Sequence, residues 1–283
     1  MTRGLPMSTR GLVHVYHAEG HDVAALSGVD LHVAAGELVG LLGPSGSGKS
    51  TLLGLLGGLL RPTAGRVLVG DVELSKAAER DVDRLRSRTI SLMLQGAARN
   101  LLPYLDVREN AAYAQVVARA SGATDLPEVD DVLGAVGMRV RADAPLGSLT
   151  PGELQLAAVA AAVATEPAVL LADEPTSQLD HAARDAVLAT IARINRELGT
   201  TVLIVTHDPE VASRLPRTVT IRDGRIGGEG RSGEEYAVVT ADGFLPLPGH
   251  VLGDLPPGTL VRLHRADDVY RLVPVDRPPG QTR

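Results

Sequence analysis

Hydrophobic and polar positions change rhythm several times along this 283-residue chain. Leu12 to Tyr16 and Val29 to Val33 alternate, which is the period of a half-buried strand. Leu38 to Leu42 (LVGLL) is a continuous apolar run that stops at a glycine-rich turn, as a buried parallel strand does. Ser50 to Leu60 predicts an apolar helix closed by Arg61-Pro62. Gly65 to Gly70 predicts a short strand, residues 76–90 a charged surface helix, and Ile90 to Leu94 a strand ending at Gln95. From about 97 to 165 alanine dominates, spacing turns helical, and Gly122, Pro127, Gly137 and Pro145 mark breaks, so this stretch reads as a helical subdomain. Val169 to Ala172 is again a buried strand, ending in Asp173-Glu174-Pro175. A helix from His181 to Leu198 and a strand from Thr201 to Thr206, ending at His207, follow. This order predicts an α/β fold with a mostly parallel sheet and helices on its faces.

The run GRIGGEGRSG (Gly224–Gly233) reads as a glycine-rich break. Beyond it, Tyr236 to Thr240 and Leu260 to Leu263 are short β-like runs among prolines and glycines. Two domains are therefore expected: 1–230, and a small β-rich module over 231–283.

Composition narrows the classes. A hydrophobic fraction of 44% with 22% charged residues is that of a globular protein. Aromatics are only 2%, so the core is aliphatic and an extended base-stacking platform is not expected. The net charge of −6 argues against a broad basic nucleic-acid surface. Cysteine is absent, which excludes disulfides and thiolate metal sites. Leu156 to Ala164 is too short for a membrane span, and the first residues have no continuous apolar leader, so a cytoplasmic protein is expected. Of the 28 basic residues only Lys49 and Lys76 are lysines, so Lys49, inside GPSGSGKST, stands out.

Gly43 to Thr51 fits G-x-x-x-x-G-K-[ST] between a buried strand and a helix. In such a loop (Gly43, Pro44, Ser45, Gly46, Ser47, Gly48), backbone N–H groups cradle phosphate oxygens, and the helix start adds positive potential. Lys49 would reach the β- and γ-phosphates, and the Ser50 hydroxyl would ligate Mg²⁺, with Thr51 beside it. A Gly/Ser linker is the rival reading, disfavoured by the strand before the loop and the helix after it. VLLADE (Val169–Glu174) adds an acidic pair after a strand: Asp173 to hold Mg²⁺ through water, and Glu174 to polarise the attacking water. Gln95 and His207 also end apolar strands, and in a parallel sheet those ends form the ligand crevice. Gln95 is thus a candidate for the Mg²⁺ and water, and His207 for the γ-phosphate. Each is also an ordinary strand-end polar residue.

With these motifs the sequence resembles the ATPase subunit of ABC transporters over about residues 10–228, most closely those of lipoprotein-release, macrolide and antimicrobial-peptide export systems. GPSGSGKSTLL, LMLQGAARNLLPYLDVREN (Leu92–Asn110), LLADEPTSQLD (Leu170–Asp180) and VTHDPEVA (Val205–Ala212) carry the resemblance. It implies a P-loop ATPase core with an antiparallel β subdomain and an α-helical subdomain. It implies Tyr16 as the aromatic that stacks on adenine, with a core aromatic as the rival, and Asp180 in the loop at the dimer interface. It implies ATP and Mg²⁺, a homodimer or heterodimer of such domains, and an integral membrane permease as partner. The chain would then lie on the inner face of the membrane through that permease.

One motif departs from the family. The signature loop that reaches the partner's γ-phosphate usually reads L-S-G-G-Q; here it is Leu149-Thr150-Pro151-Gly152-Glu153. Thr150 keeps a hydroxyl and Gly152 a glycine, whereas Pro151 lacks an N–H and Glu153 brings a carboxylate. The basic residues that commonly follow are replaced by Leu156 and Ala161. This puts a symmetric active homodimer in question. The tail, Tyr236 to Val275, is weakly similar to the AbrB-type swapped-hairpin module, with an unrelated β extension as the alternative. Seven acids against five arginines from Glu234 to Arg283 disfavour DNA. The expectation is an ATP-hydrolysing motor subunit of a membrane transporter. Its rivals are a weakly active regulatory clamp paired with an intact ATPase, and an ABC ATPase working outside transport.

Overall fold

A computed structural model describes residues 3–275 apart from 19, 232, 233, 240–242, 244, 248, 257 and 268. The chain divides into two compact units, Met1–Tyr236 and Ala237–Arg283.

The first unit opens with β1 (Met7–Ala18), β2 (His21–Val33) and β3 (Leu38–Leu42). Then come α1 (Lys49–Leu56), β4 (Ala64–Val69), β5 (Val72–Glu73), α2 (Glu79–Arg88) and β6 (Ile90–Met93). The helical stretch holds α3 (Val107–Ala120), α4 (Val129–Ala135) and α5 (Pro151–Val163). The chain returns through β7 (Val169–Asp173), α6 (His181–Leu198), β8 (Thr201–Thr206), α7 (Pro209–Ala212), β9 (Arg217–Arg222), β10 (Arg225–Arg231) and β11 (Glu234–Ala237).

Two sheets organise this unit. The seven-stranded one has the order β11-β10-β9-β3-β8-β7-β6. Its strands β3, β8, β7 and β6 are parallel and β9 also runs parallel to β3, whereas β10 returns antiparallel. Burial follows position: all six residues of β8 are buried, because β3 and β7 flank it and helices cover both faces. The smaller sheet, β2-β1-β4-β5, is antiparallel throughout.

Register decides where the chemistry lies. Met93 pairs Ala172, Asp173 pairs Val205 and Leu42 pairs Thr206. The carboxyl ends of β6, β7, β8 and β3 therefore finish level, along one edge of the sheet. The loops after them begin with Leu94-Gln95, Glu174, His207 and Gly43.

The apolar helix after the phosphate loop is shorter than its sequence pattern predicts. It stops at Leu56 because Gly57 and the left-handed Gly58 (φ 67°) close it. The glycine-rich run at 224–233 is not a plain break. Gly224 turns the chain, and RIGGEGR then forms β10, paired to β9 from Arg225↔Arg222 to Arg231↔Arg217. Pairing with β9 overrides the weak strand propensity of glycine. Helix α5 is apolar on nearly all sides because it lies inside the core with Val132, Leu133, Val187 and Ile191, not in lipid. No helix among the described residues is long and apolar enough to cross a membrane.

The second unit contains α8 (Gly249–Asp254) and the antiparallel pair β12 (Leu260–Ala266) and β13 (Val269–Val275), in register from Leu260↔Val275 to Ala266↔Val269. Thr240, the end of the β-like run expected from Tyr236, lies outside the described residues.

Candidate functional site

The phosphate loop leaves β3 at Leu42 and enters α1 at Lys49. Gly48, the N-cap of α1, has φ 97°, and a Cβ there would stand 2.5 Å from the Ala25 carbonyl oxygen. Only glycine fits both the backbone and the space. No side chain caps α1 and no acid occupies its first turn. Its leading amides are left without a side-chain acceptor, at the positive end of the helix dipole. Lys49 is buried, and its ammonium donates to the carbonyls of Gly43 (2.8 Å) and Pro44 (2.7 Å). The Ser47 hydroxyl is buried without a hydrogen-bond partner, while Pro44, Ser45, Gly46 and Ser50 are exposed.

Tyr16 lies on β1, 43% exposed, with its hydroxyl 3.2 Å from Thr51 Oγ1. Buried His14 meets its ring edge-on, centroids 4.7 Å apart. A partly exposed ring beside the first turn of α1 suits a planar heterocycle.

Across the sheet edge, Glu174 Oε1 is 2.5 Å from His207 Nδ1. At this separation the two side chains make one hydrogen bond. Glu174 has φ 48°, left-handed for a residue with a Cβ, and its N–H is anchored to Val205 O at 3.0 Å. Such a conformation costs on the order of 1–3 kcal/mol, and it aims the carboxylate out of the strand line. Gln95 lines the same cleft with Glu174, Ser177, His207 and Asp208. Asp173 is the last residue of β7, half-buried. Register thus brings together Gln95, Glu174 and His207, on the edge from which the loop of Lys49 also springs.

Thr150 and Gly152 stand at the start of α5. The Thr150 hydroxyl accepts from the Glu153 N–H, and the Glu153 carboxylate accepts from the Thr150 N–H (2.9 Å) and hydroxyl (3.1 Å). Arg141 Nε donates to the other carboxylate oxygen at 2.9 Å. These donors, the Thr150 N–H foremost and then Arg141, hold the Glu153 carboxyl below the usual carboxylate range. Pro151 occupies the first helical position, where the missing N–H costs the helix nothing. The sequence suggests a loose carboxylate and a lost donor; the structure instead has a closed capping box. Gly152 is there because a Cβ would come 2.8 Å from Ala183 Cβ on α6. Asp180 caps α6, its Oδ1 accepting from the Ala183 N–H at 2.8 Å.

Sequence reasoning missed Arg184 and Asp208. Both lie in the cleft of Glu174 and His207. Asp208-Pro209 is a cap followed by proline at the start of α7, and that signal was available.

Among the described residues no group of three or more His, Cys, Asp or Glu is placed to hold a metal ion. Ser50, Asp173 and Gln95 offer a hydroxyl, a carboxylate and an amide. That is an oxygen set suited to Mg²⁺, which takes its remaining ligands from phosphates and water.

A glycine loop with an uncapped helix start, a buried lysine and a strand-end carboxylate define a phosphate-loop nucleotide-binding protein. A profile of the family described as ABC transporter matches residues 26–177. The lipoprotein-releasing system ATP-binding protein LolD of Anaeromyxobacter dehalogenans is 44% identical over 206 residues, 72% of this chain and 85% of that one. LolD 1 of Caulobacter vibrioides is 37% identical over 221 residues, 78% of this chain and 94% of its own. An ATP-binding cassette solved as a dimer in a post-hydrolysis state, bound to ADP and Pi, superposes with a TM-score of 0.71 at 30% identity, covering 80% of this chain and 98% of that one. The chain belongs to the ABC transporter ATP-binding family, and it is an ATP-hydrolysing cassette.

Proposed function

We propose that this cassette powers an export-type membrane permease and lies on the cytoplasmic face of the membrane through that permease. Two cassettes close on ATP head to tail, the phosphate loop of one against the α5 start of the other, and hydrolysis parts them. The observation that carries the reading is the meeting of Glu174 with His207, 2.5 Å apart, on the sheet edge that bears the phosphate loop. Glu174 takes a proton from water as the water oxygen bonds to the γ-phosphorus; the bond to the bridging oxygen breaks and ADP leaves with it. His207 orients Glu174 and faces the γ-phosphate, Lys49 compensates charge on the β- and γ-phosphates, and Tyr16 stacks on adenine. Ser50, Asp173 and Gln95 would hold Mg²⁺, which would neutralise developing phosphate charge.

The permease side is supported by a groove of about 360 Å³ between β6, the segment after Gln95, α3 and α5. Leu94, Leu101, Leu102, Tyr113 and Ala161 line it. Tyr104 (77% exposed) and Val116 (56%) lie on the same helical subdomain. The exposed Tyr104 and Val116 beside this groove support placing the permease on this side.

Glu174→Gln keeps size and hydrogen bonding but removes the base. ATP affinity is expected to hold within about twofold while turnover falls by roughly 10²–10⁴. Calorimetric titration together with phosphate release checks this, and undiminished turnover refutes the assignment.

A second reading is favoured by α5. Its Thr150 and Glu153 N–H groups are already taken by the capping box, which weakens the contribution this chain makes to a partner's nucleotide. In a heteromeric pair, an open loop on a different ATPase would complete the site of this chain.

A further inference from the structure

Around Arg184 the cleft holds a cluster of charges that touches no nucleotide-binding residue of the phosphate loop. Arg184 sits on α6, one turn after the cap Asp180, and it is buried. Its Nη1 donates to Asp208 Oδ2 at 3.2 Å. Its Nη2 reaches Glu210 Oε2 at 2.6 Å and His181 Nδ1 at 2.7 Å. Its Nε is 3.6 Å from Asp185, which also pairs with Arg214. A buried guanidinium is tolerated only because carboxylates surround it on two elements.

Asp208 directly follows His207, and its two oxygens have different partners. Oδ1 accepts from the Glu210 N–H at 2.8 Å, which caps α7. Oδ2 belongs to Arg184. The peptide after the histidine is therefore pinned to α6 as well as to its own helix. The pins close a ring. From Glu174 the chain runs through the turn at Ser177 to Asp180, into α6 and up to Arg184. Arg184 ties back to Asp208, and His207 returns to Glu174.

Resting on the reading of Glu174 and His207 given above, we propose that Arg184 is a positioning residue: it fixes His207 against Glu174 and couples both to the Asp180 end of α6. Ala183, its neighbour on α6, also packs on Gly152. A displacement of the 174–180 turn or of the α5 start thus reaches His207 through Arg184. Histidine misplacement of about an ångström is enough to change the rate between ten- and a hundredfold.

Arg184→Met keeps the aliphatic stem and removes the fork; Arg184→Lys keeps the charge as a compact ammonium without the planar fork. For the full chain, Arg184→Met is expected to leave ATP affinity within about twofold and to lower kcat by ten- to a hundredfold. Arg184→Lys should recover part of that loss, and Asp208→Asn added to Arg184→Met should cost little more, since both act through one bond. Amide exchange should quicken over 206–212 in Arg184→Met, with 49–56 unchanged. Unaltered kcat and unaltered exchange at 206–212 would overturn the proposal, as would losses of Arg184→Met and Asp208→Asn that simply add. If Arg184→Met unfolds, the same readings on Arg184→Lys and Asp208→Asn decide. Failure of the underlying reading shows separately, as full turnover in Glu174→Gln.

Discussion

Two helices of this chain begin where a phosphate is expected, and their first turns are built in opposite ways. Helix α1 starts from a left-handed glycine, with no cap and no acid, so its amides wait for an external anion. Helix α5 starts from Thr150 with Glu153 folded back on it, and Arg141 completes the charge. The dipole is the same at both. What differs is whether the chain supplies its own acceptor. A helix start is an anion site only when its donors are left unsatisfied, and a capping box satisfies them from within.

The largest test of the contrast is at α1. Lys49→Ala removes the ammonium that faces the loop, so ATP affinity should fall roughly a hundredfold, about 3 kcal/mol. Titration calorimetry measures it, and circular dichroism should show the fold retained. Equal affinity in mutant and parent would dissolve the distinction between the two helix starts.

A smaller effect is expected at α5. Pro151→Gly with Glu153→Gln returns an amide donor and removes the carboxylate. Steady-state turnover of the purified protein alone should then rise by about tenfold, below the roughly 10²–10³ that one oriented donor at a charged transition state can supply. A parent already fast without partners, and no faster after the double change, would mean that the closed loop works as it stands; the heteromeric reading would then be dropped.

The smallest effect is in acid. The Glu153 carboxyl is held low by the Thr150 N–H and then by Arg141. Its share of stability is therefore present above the ordinary carboxylate value and is lost as pH falls through the lowered one. Amide exchange at 150–154 should accelerate only in acid, while the start of α1, which carries no such carboxylate, keeps its rate. Glu153→Gln should abolish the acid response; a response that persists would assign it to another group.

These contrasts also separate what was readable along the chain from what was not. The phosphate loop is a local object: strand, glycines, lysine and helix lie within Leu38–Leu56, and each short-range preference agrees with the next. VLLADE and the strand before His207 are equally local runs. The capping box Thr150–Glu153 is equally local, written as T-x-x-E, although against the family's L-S-G-G-Q the same residues read as a lost glycine and a lost amide. The glycines of β10 hid a strand, because only pairing with its neighbouring strands makes one of that segment.

By itself the sequence determined the elements, the order that demands a parallel sheet, and the loop chemistry, because these depend on periodicity and on residues a few positions apart. Tertiary structure alone decided that Glu174 meets His207, 33 residues on, and that Arg184 holds Asp208 across 24. Contacts at such separations follow from strand order and register. Many carboxylates and arginines along the chain were equally eligible partners until the sheet brought particular strand ends level.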